Sequence, residues 1–414
     1  GSPAAAAAAR YFTAAEPERL SALQLRAATA RGSLSPQAVR ALYGERLRLS
    51  ASRIERFASC RFSYFLSYGL RAKPRRAAEL SPPELGTFMH YVLQHTAREA
   101  KELGGFRRLD DARLAALTDK YVERYIEEQL GGLEGRGARF AYLFRRLSDG
   151  VRRVVADMAA ELRDSDFEPL DFELDFSRLG LPPEELPGGG RFSLSGIADR
   201  VDGWVHGGRL YLRVVDYKTG KKSFSLSDVW QGLGLQMLLY LFALERGGEA
   251  LYGMPVSPAG VLYVPARDLL LSMDHEPDDT ELEQKRAAAL RRSGLLLDSP
   301  AVLRAMERGE EPLRIPVKWK NGVPAGEALA SAERLGKLSE HIRGTLAAMA
   351  GELRRGSICA DPYYKGAQEN ACLWCDYADA CRFTEGEGGD RRRYLPKLTA
   401  ERVWNALEGG GENA

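Results

Sequence analysis

The stretch that most constrains the fold is residues 194–218, LSGIADRVDGWVHGGRLYLRVVDYK, two alternating runs around Gly207-Gly208. Alternation of apolar and polar residues marks strands. A glycine pair accepts the positive φ angles that a two-residue hairpin turn requires. Such a turn sets the register, placing Asp199 opposite Asp216 and Asp202 opposite Arg213. Facing side chains have Cβ atoms about 5 Å apart. Two carboxylates that close repel unless one is protonated or a cation lies between them. Residues 210, 212, 214, 216 and 218 share one face and read Leu, Leu, Val, Asp, Lys. An apolar face therefore ends in an acid and an amine, which are costly to bury without partners. Asp202 and Arg213, on the other face, read as an ordinary cross-strand ion pair.

Paired acids of this kind suit a hard divalent cation such as Mg²⁺ or Mn²⁺. Such an ion polarises a phosphoryl oxygen and acidifies bound water. Lys218 is placed to orient or deprotonate the attacking water and to stabilise developing charge. A lone Asp-x-Lys would read as a surface hairpin with scattered charges. The opposing Asp199 and the apolar lead-in favour a site.

Composition narrows the class. The chain has 414 residues, long enough for two or three domains, and a net charge of +2 from 59 basic and 57 acidic residues. Contact with nucleic acid must then come from local patches. No apolar run is long enough to span a bilayer, and no secretory signal is evident. Five cysteines are too few for a disulfide scaffold. The reading is a cytoplasmic chain whose cysteines are reduced or bound to metal.

The opening GSPAAAAAAR reads as a cloning remnant followed by low-complexity alanine. Residues 13–31 read as a helix, and Ser35-Pro36 opens another that ends near Gly44. LRLS (47–50) reads as a short strand. Ser52 and Glu55 form a capping box for a helix that carries Cys60, with Ile54, Phe57, Phe62, Phe65 and Leu66 on its apolar face. Further helices are expected from Gly86, across 109–165, at 230–247, in a charged insertion at 276–310, and at 325–355. Strands are expected across 167–218, at 259–266 and at 314–319. Residues 356–400 read as irregular. The pattern predicts an α/β core with an all-helical N-terminal part.

Cys372, Cys375 and Cys381 are spaced C-x2-C-x5-C, a metal-ligand pattern. Cys60 and Cys359 are candidates for a fourth ligand. Four thiolates suit tetrahedral zinc or a [4Fe–4S] cluster, and spacing does not choose between them.

GIADRVD, VVDYKTG and LQMLLY together resemble the motif set of RecB-type PD-(D/E)xK nucleases. The resemblance implies a restriction-endonuclease-like core with a central mixed sheet flanked by helices, and a divalent metal site for phosphodiester hydrolysis. Asp199 matches the first acid, Asp216 the second and Lys218 the catalytic lysine, with Tyr217 offering its backbone carbonyl to the metal. GTFMH makes His90 a further ligand, and Gln236 with Tyr240 matches the trailing Q-x-x-x-Y motif, one helical turn apart. SRIERFASCRFSYFLSYGLR upstream and CLWCDYADACRF downstream are similar to the C-terminal nuclease domain of the AddB subunit of AddAB-type helicase–nucleases. That likeness covers roughly residues 36–400. It implies a [4Fe–4S] cluster held by Cys60, Cys372, Cys375 and Cys381, and departs from the family where Cys60-Arg61-Phe62 replaces Cys-Pro-Phe. It also implies an AddA-type partner carrying the ATP-driven motor and a second nuclease, and a role in trimming the 5′-ended strand at double-strand breaks.

This likeness divides the chain into a helicase-like remnant (1–45), a helical part bearing Cys60 and His90 (46–165), the nuclease core (166–355) and an iron–sulfur segment with its tail (356–414). No G-x-x-x-x-G-K-[ST] occurs; TGKKS (219–223) lacks the first glycine, so ATP hydrolysis is not expected of this chain. Lys221 and Lys222 follow the acid–lysine strand and are candidates for backbone-phosphate contact, as is the basic RAKPRR (71–76). RRR (391–393) reads as a solvated face and Trp204 as a packing residue. Two rival readings are a non-catalytic DNA-end clamp, opposed by the intact Asp199, Asp216 and Lys218, and a CRISPR-adaptation iron–sulfur exonuclease, opposed by the chain's size.

Overall fold

In the computed structural model, residues 3–19, 21, 31–45, 47–73, 82–132, 134, 137–185, 191–220, 223–266, 285, 288–309 and 311–409 are described. The centre is a mixed six-stranded sheet built from β2 (Glu168–Asp175), β5 (Ile197–His206), β6 (Arg209–Lys218), β7 (Val256–Pro265), β8 (Ser293–Leu297) and β9 (Leu329–Ala330). Their order across the sheet is β9-β8-β7-β6-β5-β2. The neighbours β6 and β7 run parallel, whereas β2–β5, β5–β6 and β7–β8 are antiparallel. A smaller sheet joins β1 (Leu47–Ser50), β4 (Arg191–Ser195) and β3 (Glu184–Glu185).

The glycine turn behaves as the sequence predicts. Gly207 and Gly208 take φ angles of 57° and 74°, the pattern of a two-residue hairpin turn with positive φ at both centres. His206 then pairs with Arg209, Asp202 with Arg213 and Arg200 with Val215. Side chains divide between two cores by parity. Leu210, Leu212 and Val214 face one core, shared with helix Gln236–Tyr252, helix Ala51–Ser59 and helix Ala332–Arg354. Val215 and Tyr217 face the other, against helices Pro82–Glu102, Asp111–Leu130 and Ala138–Arg163.

Asp202 and Arg213 pair as expected, but the pair is not ordinary. Both are fully buried. Asp202 Oδ2 accepts from Arg213 Nε at 2.8 Å and from Arg200 Nη2 at 3.0 Å. Glu161 Oε1 accepts from Arg213 Nη2 at 2.7 Å and Arg200 Nη2 at 3.1 Å, while its Oε2 accepts from Arg292 Nη2 at 2.8 Å. Arg292 also meets Asp157 at 2.5 Å. Three guanidinium groups thus face three carboxylates inside the fold, joining helix Ala138–Arg163 to β5, β6 and the start of β8. Burial alone would raise the Glu161 pKa, but the three arginines outweigh it and hold the carboxyl well below the usual range. Cross-strand pairing was legible in the sequence; that a helix and a third arginine would seal it from water was not.

Other expectations are corrected. The cap of helix Ala51–Ser59 is Ser50, whose hydroxyl accepts from Arg53 N, and not Ser52; Glu55 instead accepts from Gly234 N. Cys60 is not inside a helix: it ends one in extended conformation (φ −168°) and precedes a short turn, Arg61–Tyr64. The helix expected from Gly86 already begins at Pro82. The helix expected at 230–247 runs over Gln236–Tyr252, because Gly232 and Gly234 turn left-handed just before it. Part of the supposed helical insertion is β8, whose apolar SGLLL pairs with β7 inside the sheet; residues 267–284 lie outside the described set. The strand read at 314–319 is Lys318–Lys320, in a small hairpin apart from the main sheet. Residues 22–30 of the helix read at 13–31, and 74–76 of the basic loop, also lie outside it. Of the three arginines at 391–393, Arg391 is exposed, whereas Arg393 is only partly so. It ion-pairs with Asp361 at 3.1 Å and donates from Nε to the Asp361 carbonyl at 2.8 Å. Trp204 packs against His206, Tyr211 and Phe167.

Removing one partner from a buried ionic group leaves the rest uncompensated. Glu161→Ala is expected to lower unfolding free energy by about 3–5 kcal/mol in chemical denaturation. A loss under about 1 kcal/mol would show that the network adds nothing beyond a surface pair.

Candidate active site and cysteine cavity

The carboxylates and the amine meet at the end of β5 and β6 remote from the turn. Asp216 is 4 % exposed, and its Oδ2 is ion-paired with Lys218 Nζ at 2.5 Å. Asp199 Oδ2 accepts the backbone N–H of Tyr217 at 2.9 Å. The Tyr217 ring turns to the opposite face, where its hydroxyl accepts from Arg200 at 2.7 Å. The ionic network thus braces the strand that carries the site. Tyr263 on β7 pairs with Asp216, and the Lys218 ammonium stands 5.6 Å from the centre of its ring.

His90, on helix Pro82–Glu102, reaches the same point. Its Nδ1 lies 3.5 Å from Asp199 Oδ2 and 3.8 Å from Glu173 Oε1. One donor atom from each of His90, Glu173 and Asp199 falls within 4.8 Å of the other two. Glu173 was not singled out in the sequence. It lies on β2 between Phe172, paired with Arg200, and Leu174, paired with Ala198, and so stands beside Asp199. Its φ is 54°, a left-handed conformation costly for a residue with a Cβ. The available signal was the period-two acid run Asp171, Glu173, Asp175 on a strand bordering the first acid. Asp216 is not in that three-residue group, because its carboxylate turns to Lys218.

Electrostatics at this point favour a cation. Burial first, and then the Asp216 charge, push the Asp199 carboxyl up to about 7, against the pull of His90, the Tyr217 N–H and Lys218. Burial acts to lower the His90 pKa, but Glu173, Asp199 and Asp216 outweigh it and raise it. The carboxylate oxygens of Asp199 and Glu173 and the imidazole of His90, with the buried Asp216 carboxylate beside them, form a donor set that fits Mg²⁺ or Mn²⁺.

Gln236 is the first residue of its helix, and Tyr240 lies one turn on. Burial pushes the Tyr240 hydroxyl up to about 12, opposed by a hydrogen bond with Gln236 and reinforced by Asp216 and Asp199. The ring stacks on Phe176 at 4.3 Å. Gly196, with φ 149°, makes room for it: a Cβ there would lie 2.2 Å from the Tyr240 hydroxyl. Lys221 and Lys222 lie outside the described residues.

Cys60, Cys372, Cys375 and Cys381 line one cavity of about 340 Å³, with Tyr364, Phe383 and Arg392 among its other walls. Local turns present three of them: Cys375 N donates to Cys372 O at 3.3 Å and Cys381 N to Tyr377 O at 2.8 Å. Burial pushes the Cys60 thiol up to about 12. Cys359 is not part of that wall; its Sγ instead meets Arg61 Nη1 at 3.6 Å and Ser357 Oγ at 3.5 Å. Among the described residues, no three cysteine sulfurs lie within 4.8 Å of one another.

The family model described as the PD-(D/E)XK nuclease superfamily matches residues 48–382. The chain belongs to that superfamily. It is also 36% identical over 90% of its length to a protein from Desulforudis audaxviator that is named as the B-type subunit of an ATP-dependent helicase/deoxyribonuclease. Proteins of the same name from Clostridium acetobutylicum and Acetivibrio thermocellus are 33% and 32% identical over 89% and 90% of the chain. The chain spans about a third of the length of each: 33%, 32% and 33% respectively. No helix among the described residues is long and apolar enough to cross a membrane.

Two outcomes are expected. A carboxyl whose folded pKa lies above its unfolded value is penalised on ionising, so the metal-free protein loses stability as pH rises from about 4 to about 7. Asp199→Asn should remove that loss, making the protein more stable than wild type in chelator at pH 8 by up to about 4 kcal/mol, and should lose most of the stabilisation that Mn²⁺ gives wild type. A wild type whose melting ignores Mn²⁺ would argue against a cation site. Gly196→Ala should destabilise by about 1–3 kcal/mol; adding Tyr240→Phe, which deletes the clashing hydroxyl, should recover part of it in a double-mutant cycle. Strict additivity would show that the close approach has no cost.

Proposed function

We propose that this chain is the nuclease domain of a helicase/deoxyribonuclease B-type subunit. It hydrolyses phosphodiester bonds of single-stranded DNA, acting on the 5′-ended strand during double-strand-break processing, alongside an AddA-type motor subunit. The observation that carries the reading is the convergence of His90, Glu173, Asp199, Asp216 and Lys218 at one end of a single hairpin, within a chain of the PD-(D/E)XK superfamily.

Asp199, Asp216, Glu173, His90 and the Tyr217 carbonyl are assigned to a Mg²⁺ or Mn²⁺ ion. When bound, the ion polarises a phosphoryl oxygen and acidifies water. Lys218 holds its ammonium against Asp216, where charge grows on the phosphate, and orients the attacking water. The stacked Tyr240 and its partner Gln236 position the scissile phosphate. Lys221 and Lys222 are assigned to backbone phosphates downstream.

The cysteine cavity is assigned to a [4Fe–4S] cluster. Four sulfurs around one zinc at about 2.3 Å stand about 3.8 Å from each other. Here no three approach within 4.8 Å, and the cavity between them is roomy. That spacing favours a cluster over one zinc ion. Linking Cys60 to residues 372–381 closes a very long loop, so the cluster acts as a staple on the unfolded chain.

With a 5′-labelled single strand and Mg²⁺, Asp216→Ala and Lys218→Ala should each lower cleavage about a hundredfold or more while leaving the fold intact by circular dichroism. Cleavage that survives Asp216→Ala would overturn the catalytic assignment and favour a non-catalytic clamp. Cys375→Ala should lose the brown colour and iron of anaerobic preparations and become protease-sensitive. Unchanged melting and protease resistance would refute the staple.

A further inference from the structure

Arg31 lies ahead of β1, in the part of the chain farthest in sequence from the three clustered cysteines, yet it touches one of them. Its Nη2 donates to the Cys381 carbonyl at 2.8 Å and approaches Cys381 Sγ at 3.6 Å. Its Nε and Nη2 grip both oxygens of Asp390 at 2.8 Å. Asp390 is itself buried. The guanidinium lies 4.1 Å over the ring of Phe62, two residues after Cys60. The neighbouring backbone is tied down as well: Leu34 N donates to Gly356 O at 2.9 Å, and Ser33 bridges Ser357. A planar fork fixed by a bidentate carboxylate, with its second Nη2 N–H shared between the carbonyl and the sulfur of Cys381, is a pre-organised donor.

We propose that Arg31 is a positioning residue of the cysteine centre, donating to the Cys381 sulfur and offsetting the negative charge that four thiolates bring to a [4Fe–4S] cluster. This rests on the cluster reading given above. A cation and an N–H donor beside a cluster sulfur favour the reduced, more negative state, and so raise the reduction potential. They also hold the ligand in place, which slows loss of iron. Asp390 serves by fixing the fork. Arg31 belongs to the segment ahead of the nuclease core, so the cluster and that segment secure each other.

The test uses the full chain purified without oxygen, wild type beside Arg31→Gln and Arg31→Lys. Iron content is measured first, then the rate at which visible absorption bleaches in air, then the midpoint potential. The Gln variant should bleach about tenfold faster, in line with the loss when an outer partner of a metal ligand is removed, and its midpoint should fall. If it does not fold, the Lys variant decides: one ammonium cannot grip Asp390 and reach Cys381 together, so bleaching still quickens. A merely structural Arg31 would lower melting temperature and leave the potential unmoved, which overturns the proposal. Iron-loaded wild type with variants that bleach at its rate overturns it too. Zinc or no metal in the wild type overturns the cluster reading itself, and this proposal with it.

Discussion

The register of one hairpin governs the rest of the structure. Two glycines with positive φ lock β5 against β6, and with period-two side chains every later placement follows. One face receives Asp199 and Asp216, the other receives Arg200, Asp202 and Arg213. A slip of one residue would exchange them, putting three charges of the network into the apolar core beneath helix Gln236–Tyr252 and stripping the site of its acids. The fold resists that slip from both sides, because each face holds groups that tolerate no other environment.

The two faces also divide the work. On one, guanidinium and carboxylate groups neutralise each other and the strands are held rigid. On the other, three acids crowd around His90 and Lys218, the arrangement to which the proposed cation is assigned. Tyr217 links the halves: its hydroxyl takes a hydrogen bond from Arg200 while its N–H is given to Asp199. A strained Glu173 adds a further acid from the edge strand. Strain of this kind persists only where surrounding packing over-determines it, and Glu173 sits between the buried and paired Phe172 and Leu174.

Much of this was written plainly in the sequence. The Gly207-Gly208 pair disclosed the turn, and the Leu-Leu-Val-Asp-Lys face disclosed that an acid and an amine would meet at the end of an apolar face. His90 needed the resemblance of its G-T-x-x-H setting, since a histidine on a helix carries no signal alone. Glu173 escaped because a left-handed residue in a strand leaves no mark in a pattern of alternation. β8 escaped because its five-residue apolar run follows a charged stretch and reads as helix. Glu161 and Arg292 carry no signal in the sequence, since only tertiary packing brings them together with Arg200 and Arg213. The break at Cys60 was likewise invisible, since the apolar spacing runs through it undisturbed.

The proposed cluster and the proposed metal site belong to one chain but would lean on different physics, a crosslink in one case and crowded acids in the other. The central claim is the second: two acids held together so that a cation must join them. Its most direct measurement is the anomalous difference map from crystals soaked in Mn²⁺. The account predicts a strong peak bounded by Asp199, Asp216, Glu173 and His90. A map with no peak there, or with the ion held elsewhere while those acids stay apart from it, would contradict it.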